Sequence, residues 1–101
     1  MERRQPKIIY VDIDGTICTQ TKDYNTAEPI PHHIDKINKL YDEGNFIIYY
    51  SARGRISGTD WTELTLNQLK NWGCKFNELK MNHKLHYDLY ICDKSKRIEE
   101  L

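Results

Sequence analysis

A chain of 101 residues fits one domain of ordinary size, residues 1–101 as a single unit. Its fifteen basic and fifteen acidic side chains cancel, which argues against a broad electrostatic grip on nucleic acid and leaves local charged pockets. Cys18, Cys74 and Cys92 are odd in number and lack C-x-x-C spacing, MERRQPK has no apolar signal region, and no apolar run approaches ~18 residues; the expectation is a cytoplasmic protein with reduced thiols and no membrane partner.

Pro6 precedes the first predicted strand, Lys7 to Ile13. Its apolar run Ile8-Ile9-Tyr10-Val11 ends in two carboxylates, Asp12 and Asp14, followed by Gly15 and Thr16. Carboxylates at the end of a buried strand are costly unless a cation, a hydrogen-bond cage or chemistry accounts for them. Alone, a D-x-D-G triplet reads as the start of a polar loop. Thr16 to Pro31 reads as one excursion, a turn plus a short hairpin, and Lys22 to Tyr24 within it would flank any pocket.

Pro31 suits the first position of a helix. Ile34, Ile37, Leu40 and Tyr41 give that helix one apolar face, and Gly44 closes it. His32 and His33 in its first turn read as exposed. Phe46-Ile47-Ile48-Tyr49-Tyr50 is a second strand, apolar without alternation, as in a strand covered on both faces. It runs into Ser51-Ala52-Arg53-Gly54-Arg55, a polar loop continuing to Thr59. Asp60 and Glu63 form a capping-box pattern. Trp61, Leu64, Leu66, Leu69 and Trp72 supply the apolar positions of a second helix closed by Gly73. Cys74 to Met81 contains a third strand, anchored by Phe76 and Leu79. Asp88-Leu89-Tyr90-Ile91-Cys92 is a fourth, ending at Asp93, and Lys94 to Leu101 is a charged tail.

The order β, α, β, α, β, β predicts an α/β domain with a mainly parallel sheet. Ligands in such sheets bind at the carboxyl ends of the strands. Asp12 and Asp14, Ser51 and Asp93 end three separate strands there, with Lys84 in the preceding loop. That convergence raises chemistry above the bland reading of the triplet.

These residues, in this order, resemble the haloacid dehalogenase superfamily of phosphohydrolases. The first motif of that family, D-x-D-G-T, is matched by Asp12 to Thr16, the second by Ser51, the third by Lys84 and the fourth by Asp93. The chain is most similar to the small cap-less branch found among capsular polysaccharide biosynthesis genes. The matching residues are Tyr50-Ser51-Ala52-Arg53-Gly54, then Gln68 to Gly73, then Asp88 to Asp93. The resemblance implies a Rossmann-like three-layer α/β/α sandwich without a cap domain. It implies a phosphatase that forms an aspartyl-phosphate on a small phosphorylated metabolite, a sugar phosphate first among them. Asp12 would be the nucleophile and Asp14 the general acid and base. Ser51 and Lys84 would act on the phosphoryl oxygens, with Ala52, Arg53 and Gly54 binding substrate. Mg²⁺ would sit on the Asp12 carboxylate, the Asp14 backbone carbonyl and Asp93.

Relatives commonly carry two adjacent acids where this chain has Cys92-Asp93. Cysteine is a poor Mg²⁺ ligand. Read as the single-acid pattern of other members, the pair leaves Asp93 as the ligand. Read as a loss, it leaves a catalytically weak binding or regulatory module. A polynucleotide 3′-phosphatase shares the chemistry, and the neutral charge counts against it. Arg55 is a further candidate for an anionic substrate, evenly weighed against a solvated arginine. His83 and His86 lack two further ligands for zinc. With no cap domain the pocket would be open, and a homo-oligomer could supply its missing wall.

Overall fold

The computed structural model describes residues 6–81 and the backbone of 89–91. Among the described residues four strands form one sheet in the order β3-β2-β1-β4, every neighbouring pair parallel. They are β1 (Ile8–Asp12), β2 (Phe46–Ser51), β3 (Glu78–Met81) and β4 (Leu89–Ile91). Two helices cross between them, α1 (Pro31–Asp42) and α2 (Thr62–Asn71). The α/β class and the parallel sheet therefore stand as read from the chain.

The two central strands explain their own composition. Ile9 and Val11 of β1 and Ile47 and Tyr49 of β2 cluster with Ile34 and Ile37 of α1 and Leu69 of α2. Tyr10 and Ile48, pointing to the opposite face by strand alternation, are also buried. Burial on both faces removes any alternating pattern from the sequence. Ile8 and Phe46, paired at the amino ends of β1 and β2, are the exposed exceptions.

The helix ends obey local chemistry with one shift. Pro31 opens α1, and Gly44, at φ +96°, ends it, its amide donating to Tyr41 O at 3.0 Å. At α2 the expected reciprocal capping box does not form. Asp60 Oδ1 instead accepts from Thr62 N at 3.0 Å, and Trp61 takes the cap position without a side-chain bond. An aspartate two residues ahead of an amide closes its own small turn, which competes with the longer capping reach.

Two expectations on the first half need correction. His33 is buried rather than exposed, and its Nδ1 lies 2.8 Å from Thr16 O, pinning α1 to the loop after β1. The excursion from Thr16 to Pro31 holds a 3-10 turn at Tyr24–Thr26 and a single antiparallel bridge, Cys18 to Pro29, in place of a full hairpin. Ile30 N donates to Ile17 O at 2.8 Å and Thr19 N to Glu28 O at 2.9 Å, so the excursion is closed at its base. The third strand is shorter than the Cys74 to Met81 stretch, because Asn77 spends its groups holding Ile47: its amide donates to Ile47 O and its Oδ1 accepts from Ile47 N.

Candidate active site

Parallel pairing brings the carboxyl ends of β1 and β2 to one edge. Asp12, the last residue of β1, pairs with Tyr50, and Ser51 beyond it pairs with Met81 of β3. Asp12 is half-buried, and its Oδ1 accepts from Ile13 N at 3.0 Å. The chain then turns sharply. Thr16 N and Ile17 N both donate to Ile13 O at 3.1 Å, and Gly15 N donates to Cys18 O at 2.9 Å. Gly15 does this at φ +83°, a conformation that costs a side-chain-bearing residue dearly. The turn sets Asp14 beside Cys18, whose Sγ is 3.5 Å from Asp14 Oδ1. Asp12, Asp14, Thr21, Tyr24, Ala52 and Arg53 line a cleft of about 370 Å³.

Arg53 behaves unlike the substrate-binding cation expected of it. Its side chain is wholly buried, although it follows the exposed Ala52 in a glycine-bearing loop. Nε donates to Asp14 Oδ2 at 3.0 Å and Nη2 to Asp14 Oδ1 at 2.7 Å, a bidentate pair. Nη1 donates to Thr65 Oγ1 at 3.1 Å and to Gln68 Oε1. Nη2 also faces Cys18 Sγ at 3.9 Å. A guanidinium has five N–H groups, and each is directed at a protein acceptor. The guanidinium carbon also stands 4.7 Å from the centre of the Tyr24 ring. No donor remains for a phosphoryl oxygen.

The surroundings of Arg53 explain the polar side of α2. Thr65 and Gln68 are buried on the same face as Leu69, where an amphipathic helix ordinarily carries apolar residues. They are there to satisfy the guanidinium, since an unpaired buried charge is costly. Gln68 serves twice, its Nε2 donating to Tyr24 O at 2.7 Å. One arginine thus ties the strand-one carboxylate, helix α2 and the Tyr24 turn together.

Burial, followed by the neighbouring charge of Asp14, pushes the Cys18 thiol up to about 12, with Arg53 pulling the other way. Cys18 is accordingly a neutral thiol rather than a nucleophile. Ser51 is buried, and its Oγ accepts from Arg53 N at 3.0 Å, which leaves it at the strand edge but off the cleft lining. Gly54 lines the neighbouring groove instead of the cleft.

The structure therefore brings Asp12, Asp14, Ala52 and Arg53 onto one cleft, with Ser51 behind the edge. Lys84 and Asp93, with Cys92, Asp88, His83 and His86, lie outside the described residues. Among the described residues no cluster of three His, Cys, Asp or Glu side chains is set to hold a metal. The donors that are present fit a hard cation in kind: the Asp12 carboxylate and the Asp14 carbonyl are oxygens. The Asp14 carboxylate is committed to Arg53, so its backbone carbonyl is the group it has to offer.

Sequence reasoning missed Cys18, Thr65 and Gln68 as parts of this web. A signal existed for two of them. Thr65 and Gln68 lie at i+4 and i+7 from Trp61, on the stripe that also carries Leu69 and Trp72.

No family model matches the chain, and no curated protein does. The chain is similar in structure to the crystal structure of an MCSG target from Vibrio cholerae, with a TM-score of 0.74 and 22% identity over 93% of this chain and 85% of that one. That likeness is one of fold. It agrees with the parallel α/β architecture, and no helix among the described residues is long and apolar enough to cross a membrane.

Proposed function

We propose that this chain is a Mg²⁺-dependent phosphomonoester hydrolase of the cap-less haloacid dehalogenase type, acting on a small phosphorylated metabolite such as a sugar phosphate. The observation that carries the reading is the placement of Asp12 and Asp14 at the carboxyl end of a central parallel strand, both lining one cleft. The three-layer sandwich and a part in capsular polysaccharide synthesis belong to the same proposal.

In this reading an Asp12 oxygen attacks phosphorus as the bond to the leaving oxygen breaks, with the electron pair going to that oxygen. Asp14 supplies the proton the leaving oxygen needs. Water then attacks the aspartyl-phosphate, gives its proton to Asp14 and frees the Asp12 carboxylate. Mg²⁺, on the Asp12 carboxylate, the Asp14 carbonyl and Asp93, would offset charge between an anionic nucleophile and an anionic phosphate. Lys84 and Asp93 enter this scheme on their sequence positions. Both oxygens of Asp14 accept from Arg53 in the structure, so Asp14 must release one of those bonds to carry a proton into the cleft. Arg53 is thus a positioning residue, and substrate binding at the cleft falls to backbone amides around Ala52.

The test is a broad panel of phosphate esters, including p-nitrophenyl phosphate and sugar phosphates, incubated with purified protein and Mg²⁺. Phosphate release that disappears in Asp12→Asn supports the reading. Absence of release from every ester sinks it.

A further inference from the structure

Beside the cleft lies a second groove of about 410 Å³, whose lining includes Lys22, Tyr24, Ala52, Arg55, Ile56 and Trp61. It shares Tyr24 and Ala52 with the cleft that holds Asp12 and Asp14. We propose that this groove receives the leaving group of the substrate and selects a ring that carries a second anionic group, a carboxylate or a further phosphate. The proposal rests on the phosphatase reading for its orientation and adds the chemical class of the substrate.

The continuity is geometric. An ester with its phosphoryl group at Asp12 has to pass its alcohol portion over the cleft walls, and two of those walls continue into the groove. The volume suits a small ring rather than a polymer.

The charge pattern points one way. Lys22 and Arg55 are exposed, and neither is ion-paired with another described residue. No carboxylate lines the groove among those residues. The nearby cation of the cleft, Arg53, has spent its donors on protein acceptors. Among the described residues, selection for negative charge beyond the phosphoryl group therefore falls to Lys22 and Arg55.

The walls are set before any ligand arrives. Tyr24 is held by Arg53 against its ring and by Gln68 on its carbonyl, and it meets Trp61 edge-on with centroids 5.2 Å apart. The loop bearing Arg55 and Ile56 is braced as well. Gly58 N donates to Gly54 O at 2.8 Å and Arg55 N to Ala52 O at 3.0 Å. A Cβ on Gly54 would stand 2.0 Å from Thr59 O, so the loop closes on itself as tightly as a glycine permits. Aromatic faces held in place bind a ring at low ordering cost. Ile56, fully exposed at the rim, adds apolar surface to that wall.

The experiment compares glucose 1-phosphate, glucuronic acid 1-phosphate and fructose 1,6-bisphosphate. Binding is read by tryptophan fluorescence and calorimetry on Asp12→Asn protein, and hydrolysis on the parent. The two sugars with a second anionic group are expected to bind about tenfold more tightly than glucose 1-phosphate at low salt, with the preference shrinking as salt rises. A Lys22→Ala, Arg55→Ala double variant is expected to lose that preference, weakening those two sugars about tenfold more than glucose 1-phosphate. The carboxylate and the phosphate arms show which anion the groove favours. Equal binding of all three, binding of none, or a preference that survives the double variant overturns the proposal. A preference seen in binding with no phosphate released from any ester leaves the subsite standing and removes the phosphatase reading. Hydrolysis without preference does the reverse.

Discussion

Arg53–Asp14 and Lys75–Asp42 are ion pairs of similar length, 2.7 and 2.9 Å, and both join segments far apart in the chain. Lys75 and Asp42 are each about half exposed, with side chains at 50% and 56%. Water and salt already satisfy them, and Lys75 Nζ merely spans both Asp42 oxygens between the end of α1 and the turn after α2. Arg53 has no exposed side-chain surface and Asp14 retains only 18%. There the same contact is embedded in bonds to Thr65 and Gln68, and loss of one partner strands the rest. Length does not rank these pairs; the environment does.

The sharpest way to break that contrast is Arg53→Met. It leaves the Asp14 carboxylate without its fork, and the expected loss is about 3 kcal/mol in urea unfolding, at the low end for a buried pair because Asp14 keeps some water. An effect below about 1 kcal/mol would make the buried pair equivalent to the exposed one. Gln68→Leu comes next. It removes one acceptor from Arg53 and one donor from Tyr24 O, and about 1–3 kcal/mol should be lost by the same measurement. If the variant matches the parent, the web is not what holds α2 to the Tyr24 turn.

The buried thiol gives a pH handle on the same region. Burial, then the Asp14 charge, holds the Cys18 thiol up at about 12 in the folded chain, against an ordinary value of 9.0. Well below pH 9.0 it is protonated in both states and contributes no slope. Above that pH the unfolded chain loses its proton first, so the folded state binds more protons and stability falls as pH rises. The slope reaches up to about 1.4 kcal/mol per pH unit between the two values and declines again at the folded one. Urea midpoints at pH 8 and pH 10.5 should differ more for the parent than for Cys18→Ala, with Cys74, raised to about 11 by burial, supplying the remainder. Equal differences would refute the assignment. Lys75→Ala, on the exposed pair, should cost less than about 1 kcal/mol and less still in high salt. Smallest of all is Thr16→Val. Thr16 Oγ1 is buried without a hydrogen-bond partner among the described residues, so replacing its hydroxyl with a methyl group should be neutral or slightly stabilising.

Much of the fold could be read from the chain because it rests on local chemistry. Apolar runs without alternation marked β1 and β2, and Pro31 and Gly44 bracketed α1. Asp12 and Asp14 stood out because carboxylates at the end of such a run need a reason. Arg53 was hidden by its company. It sits between an alanine and a glycine in a polar loop, and nothing within the loop reveals acceptors 12 and 15 residues further on. The clue lay on α2, where Thr65 and Gln68 interrupt an apolar stripe. His33 hides for a related reason: polarity and position in the first helical turn suggest solvent, whereas its spacing from Ile37 puts it on the buried side. Long-range pairing of polar groups leaves only such gaps in a pattern, and a gap does not name its partner.

The position of β1 in the sheet bears on how this chain comes to be folded. One edge of β1 pairs with Phe46 to Tyr50, the other with Leu89 to Ile91. The first edge can zip as soon as α1 has folded back, a closure over a short loop. The second must wait for Leu89–Ile91, about 80 residues further on, and that long loop carries the larger entropy loss. During synthesis Ile9, Tyr10 and Val11 therefore present an open backbone edge for most of the time the chain is being made. An open parallel edge of that composition invites pairing with other chains. Among the described strands, β4 is thus a late shield for the edge of β1.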